Sequence, residues 1–356
     1  MKSKLLNTLI LAALAAPGAA MAADAPAAPT LSAVLDASGI SLSGDVEAAY
    51  SHLSGTGIPY YNGEHNSFTI QQVDVAVAKL PAEGVGGEVE LTMGHDAANI
   101  VSTGSTAGQV DLTQAFVQYA SGNLTAIMGK FDTLAGAEVI KAAGNTNYSR
   151  SVLFGYAIPF THTGARATYK VSDAVSLIGG LDNGWDQTSD QTAQKTVELG
   201  AALNPTKSFA LTAQLYSGAE PGGAGVNGTR TLLDLVATIT ASDSLNFVLN
   251  YDNGSQKDAV VVGSDAKWSG LAGYVNYQIN DPWSVSARLE SFKDTDGFRT
   301  GTAQTWKEGT VTISYAPNKA IALRGEVRKD KSDQAYFSSG DGKSQNLIAF
   351  DAIYKF

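Results

Sequence analysis

The sequence predicts an all-β fold, an antiparallel transmembrane β-barrel of about 16 strands whose long third external loop folds into the pore. Three observations predict it. Apolar and polar residues alternate along most of the chain from Gly39 onward, and short connections take turns with long ones between the alternating segments. After the first 22 residues, no apolar run reaches the roughly 18 residues that a transmembrane helix needs.

Composition excludes several classes of function. The 356 residues include no Cys, so disulfides, thiolate metal sites and a cysteine nucleophile are all excluded. The formal net charge of -10 argues against a nucleic-acid partner, because such partners require a basic surface. We expect no cofactor and no metal site.

The N-terminus predicts a secretory signal peptide over residues 1–22. Lys2 and Lys4 precede an apolar stretch, and Ala20-Met21-Ala22 supplies the small residues that precede cleavage. The Ala/Pro-rich residues 23–38 are interpreted as a linker, and residues 39–356 as the barrel.

The alternating segments have the period of β-strands. Val73, Val75 and Val77, for example, alternate with polar or small residues, as strands with one apolar face do. The segments run to about 9–13 residues, longer than the roughly 5–6 of ordinary strands and close to what a tilted strand needs to cross a bilayer. Length therefore favours membrane crossing.

The connections support a barrel. Every second one is tight and rich in turn residues, such as Leu80–Gly84 and Ser121–Asn123. The others are long and polar, such as Ser54–Asn66, His95–Gln109 and Ser217–Thr229. Short periplasmic turns and long external loops are typical of outer-membrane barrels.

Aromatic residues lie beside the short turns, where a barrel carries its interfacial belt. They are Tyr119, Tyr169, Phe209, Tyr277, Trp283, Tyr315 and Phe356. The last strand ends in Tyr354-Lys355-Phe356, which resembles the C-terminal signal that the barrel-assembly machinery reads in outer-membrane barrels. We therefore expect that machinery and outer-membrane lipid as partners.

The connection over residues 132–160 is the longest and is unusually apolar for an external loop. The apolar side chains of such a loop should be buried against another part of the protein, and the interior of a wide barrel offers the space. We expect it to narrow the pore and to bring its charges towards charged wall residues, where ion selectivity is set. The candidate pore-lining residues are Glu138 and Arg150 on the loop, Lys130, Arg166, Arg288, Arg324 and Arg328 as basic groups, and Glu47, Glu88 and Glu90 as acidic groups.

Two simpler interpretations stay open at this point. The loop could be an external cap whose charges only order it, and any single wall charge could serve only to pair across strands.

One stretch contains specific sequence motifs in addition to the periodic pattern. It contains Gly129-Lys130-Phe131-Asp132, Asn147-Tyr148-Ser149-Arg150-Ser151, Ile158-Pro159-Phe160-Thr161-His162-Thr163-Gly164 and Asn183-Gly184-Trp185-Asp186. This block resembles the OmpL-like β-barrel porin family of Gram-negative outer membranes. The resemblance implies a passive diffusion channel for small hydrophilic solutes or ions, located in the bacterial outer membrane after export. It also adds His162, where the long loop re-enters the wall, to the candidate pore residues.

Other functions remain as alternatives. A secreted β-propeller binding module would repeat at a similar length, although the sequence lacks the repeat signature of such blades. A plugged barrel could act as an adhesin or scaffold, and a membrane barrel could be an enzyme such as a lipase. We expect no enzyme, since no Ser-His-Asp arrangement can be found, and Gly223 to Gly228 matches G-x-G-x-x-G without a following helix. Sixteen-stranded porins often form trimers, so a homotrimer is a further expectation.

Overall fold

The computed structural model describes residues 29–55, 65–100, 108–337 and 342–356. The signal peptide and the start of the linker lie outside the described residues. The described part before Gly39 contains one helix, α1 (Leu31–Ser38), within the segment interpreted as a linker. Among the described residues, no helix is both long and apolar enough to span a membrane.

Sixteen strands lie within the described part of the chain and close into one antiparallel barrel in sequence order. They are β1 Ser41–Leu53, β2 Ser67–Lys79, β3 Gly84–Met93, β4 Val110–Ser121, β5 Leu124–Asp132, β6 Thr161–Ser172, β7 Val175–Asp182, β8 Thr196–Thr206, β9 Phe209–Pro221, β10 Asn227–Ser242, β11 Leu245–Gln256, β12 Ala266–Asn280, β13 Trp283–Asp294, β14 Gln304–Asn318, β15 Ile321–Ser332 and β16 Ser344–Lys355. Two short helices, α2 (Ala97–Ile100) and α3 (Val152–Tyr156), lie in the connections.

The barrel closes between its first and last strands. Ala48 of β1 stands opposite Ala352 of β16, and the pairing runs from Asp45 to Leu53. At the end of this seam, Gly44 and Phe356 exchange two backbone hydrogen bonds of 3.0 and 2.9 Å. Closure pairs the backbone groups that an open sheet edge would expose, which a sheet in hydrocarbon requires.

The outward face is apolar and the inward face is polar, as the alternation predicted. Val85, Met128 and Leu289 are each at least two-thirds exposed on the outside, where a soluble protein would bury them. The aromatic residues beside the short turns are exposed or partly exposed at strand ends, and the rings of Trp283 and Tyr315 lie 4.8 Å apart. This distribution suits a hydrocarbon surround with an interfacial aromatic belt.

Strand boundaries follow the expected pattern with one clear difference. The connection expected over Ser217–Thr229 is mostly strand, because β9 runs to Pro221 and β10 begins at Asn227. The paired backbone continues there through Ser217 and Glu220, whose polarity made the segment look like a loop. A hairpin that rises beyond the apolar belt needs no apolar face, so alternation of hydrophobicity does not mark its end.

Glycines on the inner wall make room for polar side chains of the next strand. A Cβ placed on Gly200 of β8 would stand 2.1 Å from Oε1 of Gln214 on β9. Likewise, a Cβ on Gly180 of β7 would stand 2.9 Å from Oε2 of Glu198 on β8. Gln214 and Glu198 therefore lie along the wall, over a neighbouring glycine, and leave the lumen wider there.

Candidate functional site

The segment between β5 and β6, residues 133–160 and here named L3, folds into the barrel. Glu326 on β15 accepts hydrogen bonds from the backbone N–H groups of Tyr148 and Ser149, at 2.7 and 3.0 Å. Its carboxylate also accepts from the hydroxyl of Thr312 on β14 at 2.7 Å. A charged acceptor on buried backbone donors is a strong bond, so Glu326 fixes the middle of L3.

A second wall glutamate fixes the later part of L3. Glu290 on β13 accepts from the N–H groups of Val152 and Leu153 at 2.6 and 3.1 Å, at the start of α3. Ser151 caps the same helix, since its hydroxyl accepts from the N–H of Phe154 at 3.0 Å. The first N–H groups of a helix have no partner within it, and these two side chains provide partners.

Three wall arginines bind carbonyl oxygens of L3. Arg288 donates to the Ser149 carbonyl at 2.8 Å, Arg328 to the Arg150 carbonyl at 2.6 Å, and Arg324 to the Asn145 carbonyl at 2.9 Å. These guanidiniums are also paired with acidic groups. Nη1 of Arg288 lies 2.6 Å from Oε1 of Glu138 on L3, Nη2 of Arg324 lies 2.7 Å from Oε1 of Glu47, and Arg328 pairs with Asp330 at 2.8 Å. Each guanidinium therefore has a carboxylate partner as well as a carbonyl of L3.

The remaining candidate on L3, Arg150, stabilises the fold of the loop itself. Its guanidinium donates to the carbonyl oxygens of Val139, Tyr148 and Ile140 at 3.1, 3.1 and 2.8 Å. Glu138 also accepts from the N–H of Ser151 at 2.6 Å. L3 thus enters the lumen as a folded segment.

Apolar side chains of L3 pack into a core inside the barrel, against strands β9 to β14. On L3, the buried apolar members are Ala135, Ile140, Val152, Leu153, Phe154, Ala157, Ile158 and Phe160, and the wall contributes Tyr216, Leu232, Trp268, Ala272, Tyr274, Phe292 and Trp306. The indole N–H of Trp268 donates to the Ala157 carbonyl at 3.0 Å. The apolar character of L3 is therefore explained by burial within the barrel.

The remaining candidates lie beside the ends of L3. Lys130 pairs with Asp111 at 3.4 Å, and Arg166 pairs with Glu198 at 2.8 Å while its guanidinium lies over the Phe131 ring at 4.3 Å. His162 is fully buried, with its ring stacked on Tyr216 at 4.8 Å and its Nδ1 3.7 Å from Asp182. Glu88 is half-buried on β3. The candidate residues thus surround L3, and most of them are buried by it or against one another.

An acidic stretch of wall faces a single lysine of L3. Asp45, Asp74 and Glu90 lie on β1, β2 and β3, and Lys141 of L3 pairs with Glu90. Burial opposes the positive charge of Lys141, but the hydrogen bond and charge of Glu90, with the charges of Asp74 and Glu88, raise the pKa of that lysine. Lys141 is therefore charged at neutral pH.

Sequence reasoning missed Lys141 and Asp74. Asp74 lies between Val73 and Val75, so the alternation itself placed it on the inner face. Lys141 stands in a loop expected to fold inward, where any charge becomes a candidate. Which wall residue it meets depends on the path of L3, which the sequence does not give.

The side of L3 that is not packed against the wall is exposed to the lumen. Leu134 and Val139 are 37% and 45% exposed, although most residues of the loop are buried. Lys141 keeps a third of its side chain exposed beside them. No group of three or more His, Asp or Glu among the described residues is arranged to hold a metal ion.

Comparison with known proteins gives the fold and the family. The barrel is similar to the outer-membrane channel DcaP of Acinetobacter baumannii, with a TM-score of 0.65 and 14% identity over 89% of this chain and 97% of that one. It is similar to an anion-selective porin from Comamonas acidovorans, with a TM-score of 0.67 and 10% identity over 89% and 99%. It is also similar to a trimer form of the outer-membrane protein OmpT of Vibrio cholerae, with a TM-score of 0.64 and 12% identity over 89% and 99%.

No curated protein sequence matches the chain. A family model described as "Putative beta-barrel porin-2, OmpL-like" matches residues 39–356, which is the whole barrel. The chain therefore belongs to the OmpL-like family of β-barrel porins.

Proposed function

We propose that this outer-membrane porin passes small hydrophilic solutes and ions by passive diffusion, and that L3 forms the constriction. The observation that carries the proposal is the attachment of L3 inside the barrel. Glu326 and Glu290 each hold two consecutive N–H groups of the loop. A loop held in this way narrows the lumen permanently and selects solutes by size and charge.

The passage runs between the exposed edge of L3 and the part of the wall that its apolar core does not cover. The inner face of that wall carries part-exposed side chains, including those of Glu88, Gln118 and Thr168. On the opposite side, β9 to β14 are covered by the apolar core of L3. No reacting group is assigned, and we propose that the protein is not an enzyme.

The other expectations follow from export to the outer membrane. We propose removal of residues 1–22, contact of the apolar belt with lipid, and recognition of Tyr354 and Phe356 by the barrel-assembly machinery. The ring of Phe356 is half exposed on the outside while its backbone closes the barrel with Gly44, so the side chain is accessible to a partner. A homotrimer is proposed as well, since OmpT of Vibrio cholerae has a trimer form.

Planar-bilayer recording tests the proposal. The purified protein, checked for folding by its heat-modifiable migration on gels, should form channels with stepwise ohmic conductance. Deletion of residues 142–149, which removes the part of L3 bound by Glu326 and Arg324, should raise the single-channel conductance. A folded protein without conductance would instead support the plugged barrel. Equal conductance of the deletion variant would contradict the role of L3 as constriction.

A further inference from the structure

Carboxylates are crowded on the wall at the level of L3. Asp45 of β1 stands directly opposite Asp74 of β2 in the strand register, and Glu90 follows on β3. Like charges directly opposite each other in a sheet are destabilising. Such an arrangement needs positive charge or water close by.

Buried oxygens in this group lack partners. Asp45 and Asp74 are 5% and 1% exposed, yet Oδ1 of Asp45 and Oδ2 of Asp74 accept no hydrogen bond from any described residue. Oδ1 of Asp132, at the end of β5, is in the same situation. Because an unpaired buried carboxylate oxygen is costly, these atoms indicate a place for a mobile positive ligand or its water.

Lys141 is the cation that L3 brings to this wall. Its ammonium pairs with Glu90, and its charge also acts on Asp45, Asp74 and Asp132. About a third of the Lys141 side chain is exposed, so this residue can be reached from the lumen. A cation that passes Lys141 therefore comes within range of the field of these carboxylates.

The wall suits hydrated ions better than tightly bound ones. Among the described residues, no set of three acidic or histidine side chains is close enough to coordinate one metal ion. Carboxylates spread over β1, β2, β3 and the end of β5 attract cations through space without stripping their water.

We propose that this wall makes the channel prefer small hydrated cations, and that Lys141 is the specificity-determining residue that limits the preference. The inference rests on the proposed function, because it needs an open passage beside L3. Lys141 serves as a resident counter-cation. Without it, the negative charge of this wall would act on permeating ions with no resident cation to offset it.

Reversal potentials in a tenfold KCl gradient test the inference. Lys141→Gln should raise the potassium-to-chloride permeability ratio about threefold, as expected for one charge several ångströms from the path in about 0.1 M salt. Lys141→Arg keeps the charge and should keep the wild-type ratio. Asp45→Asn combined with Asp74→Asn should lower the ratio. The matched control is Lys170→Gln, which removes an equal charge beside the β6–β7 turn, where Lys170 pairs with Asp173 at 2.6 Å.

The outcomes separate the two proposals. A wild-type protein that is folded but never conducts would contradict the proposed function. A conducting protein that prefers chloride, or one whose ratio Lys141→Gln leaves unchanged, would overturn this inference and leave the channel function standing. A rise in the permeability ratio of Lys141→Gln that disappears in 1 M KCl would support the inference, since screening weakens the field of the carboxylates.

Discussion

Replacement of Glu326 by Gln tests how L3 is held. The carboxylate of Glu326 accepts from the N–H groups of Tyr148 and Ser149 and from the hydroxyl of Thr312. In the Glu326→Gln variant one oxygen becomes an NH₂ group, which cannot accept a hydrogen bond. One backbone N–H of L3 then loses its acceptor in a buried site, while the shape of the side chain is kept.

The expected weakening of the attachment of L3 follows from the loss of that one hydrogen bond. Leaving a buried donor unsatisfied costs about 1–3 kcal/mol, and the remaining bond also loses its charge assistance. A weakening of about 2 kcal/mol changes the equilibrium between attached and detached L3 roughly 30-fold. The other attachments, at Glu290 and Arg288, remain in place. We therefore expect local fluctuation of L3 around Tyr148, while Arg288 still holds the Ser149 carbonyl and the barrel stays intact.

Single-channel recording at high time resolution measures this change. Glu326→Gln should show more frequent excursions of the open-channel current than the wild type. Glu83→Gln is the matched control, since Glu83 also accepts from a backbone N–H, that of Gly122 at 2.7 Å, but at an exposed turn. If Glu326→Gln and the wild type gave the same current noise, the reasoning that this carboxylate anchors L3 would be refuted.

Three further predictions concern stability and assembly. Burial raises the pKa of Asp96 from 3.8 to about 7, against the lowering effects of Arg150 and Gln71. The folded state then retains a proton that the unfolded state loses above about pH 4, and stability falls as the pH rises to 7. Asp96→Asn should therefore add up to roughly 4 kcal/mol to the free energy of unfolding at pH 8 and nothing below pH 4, as measured by urea titration in vesicles; equal effects at both pH values would contradict this. Trp268→Phe removes the donor to the Ala157 carbonyl and should cost about 1–3 kcal/mol in the same titration, whereas an unchanged midpoint would exclude a contribution from that bond. Deletion of Phe356 removes two backbone bonds to Gly44 and should lower the heat-modifiable fraction in cells, and wild-type levels would contradict its role in assembly.

Much of the barrel could be predicted from the sequence, because membrane crossing leaves a strong periodic signal. Alternation as in Val73 to Val77 and turn residues as at Leu80–Gly84 place the strands. β2 ends at Lys79 as expected, and β3 begins at Gly84, the last residue of the predicted turn. The signal weakens outside the hydrocarbon. The β9–β10 hairpin extends beyond its predicted end because neither of its faces meets lipid there.

The constriction was less predictable. The sequence indicated that L3 folds inward and that Glu138 meets a basic wall residue, which in the structure is Arg288. It did not indicate that most wall charges would be used to hold the loop, as Arg324 and Glu326 are. Those contacts join residues more than 170 positions apart and depend on the path of a loop without periodicity. Local patterns carry no information about such pairs.

The glycine positions on β7 and β8 imply that a single added methyl group can change the width of the lumen. At Gly200 only the end of the Gln214 side chain stands in the way of a Cβ, so Gly200→Ala would turn that amide inward without disturbing the strands. Relatives with alanine at this position would carry a narrower aperture on the same scaffold. The size of solute that such a barrel admits can therefore change between relatives through substitution of glycines in the wall, while L3 and its attachments stay the same.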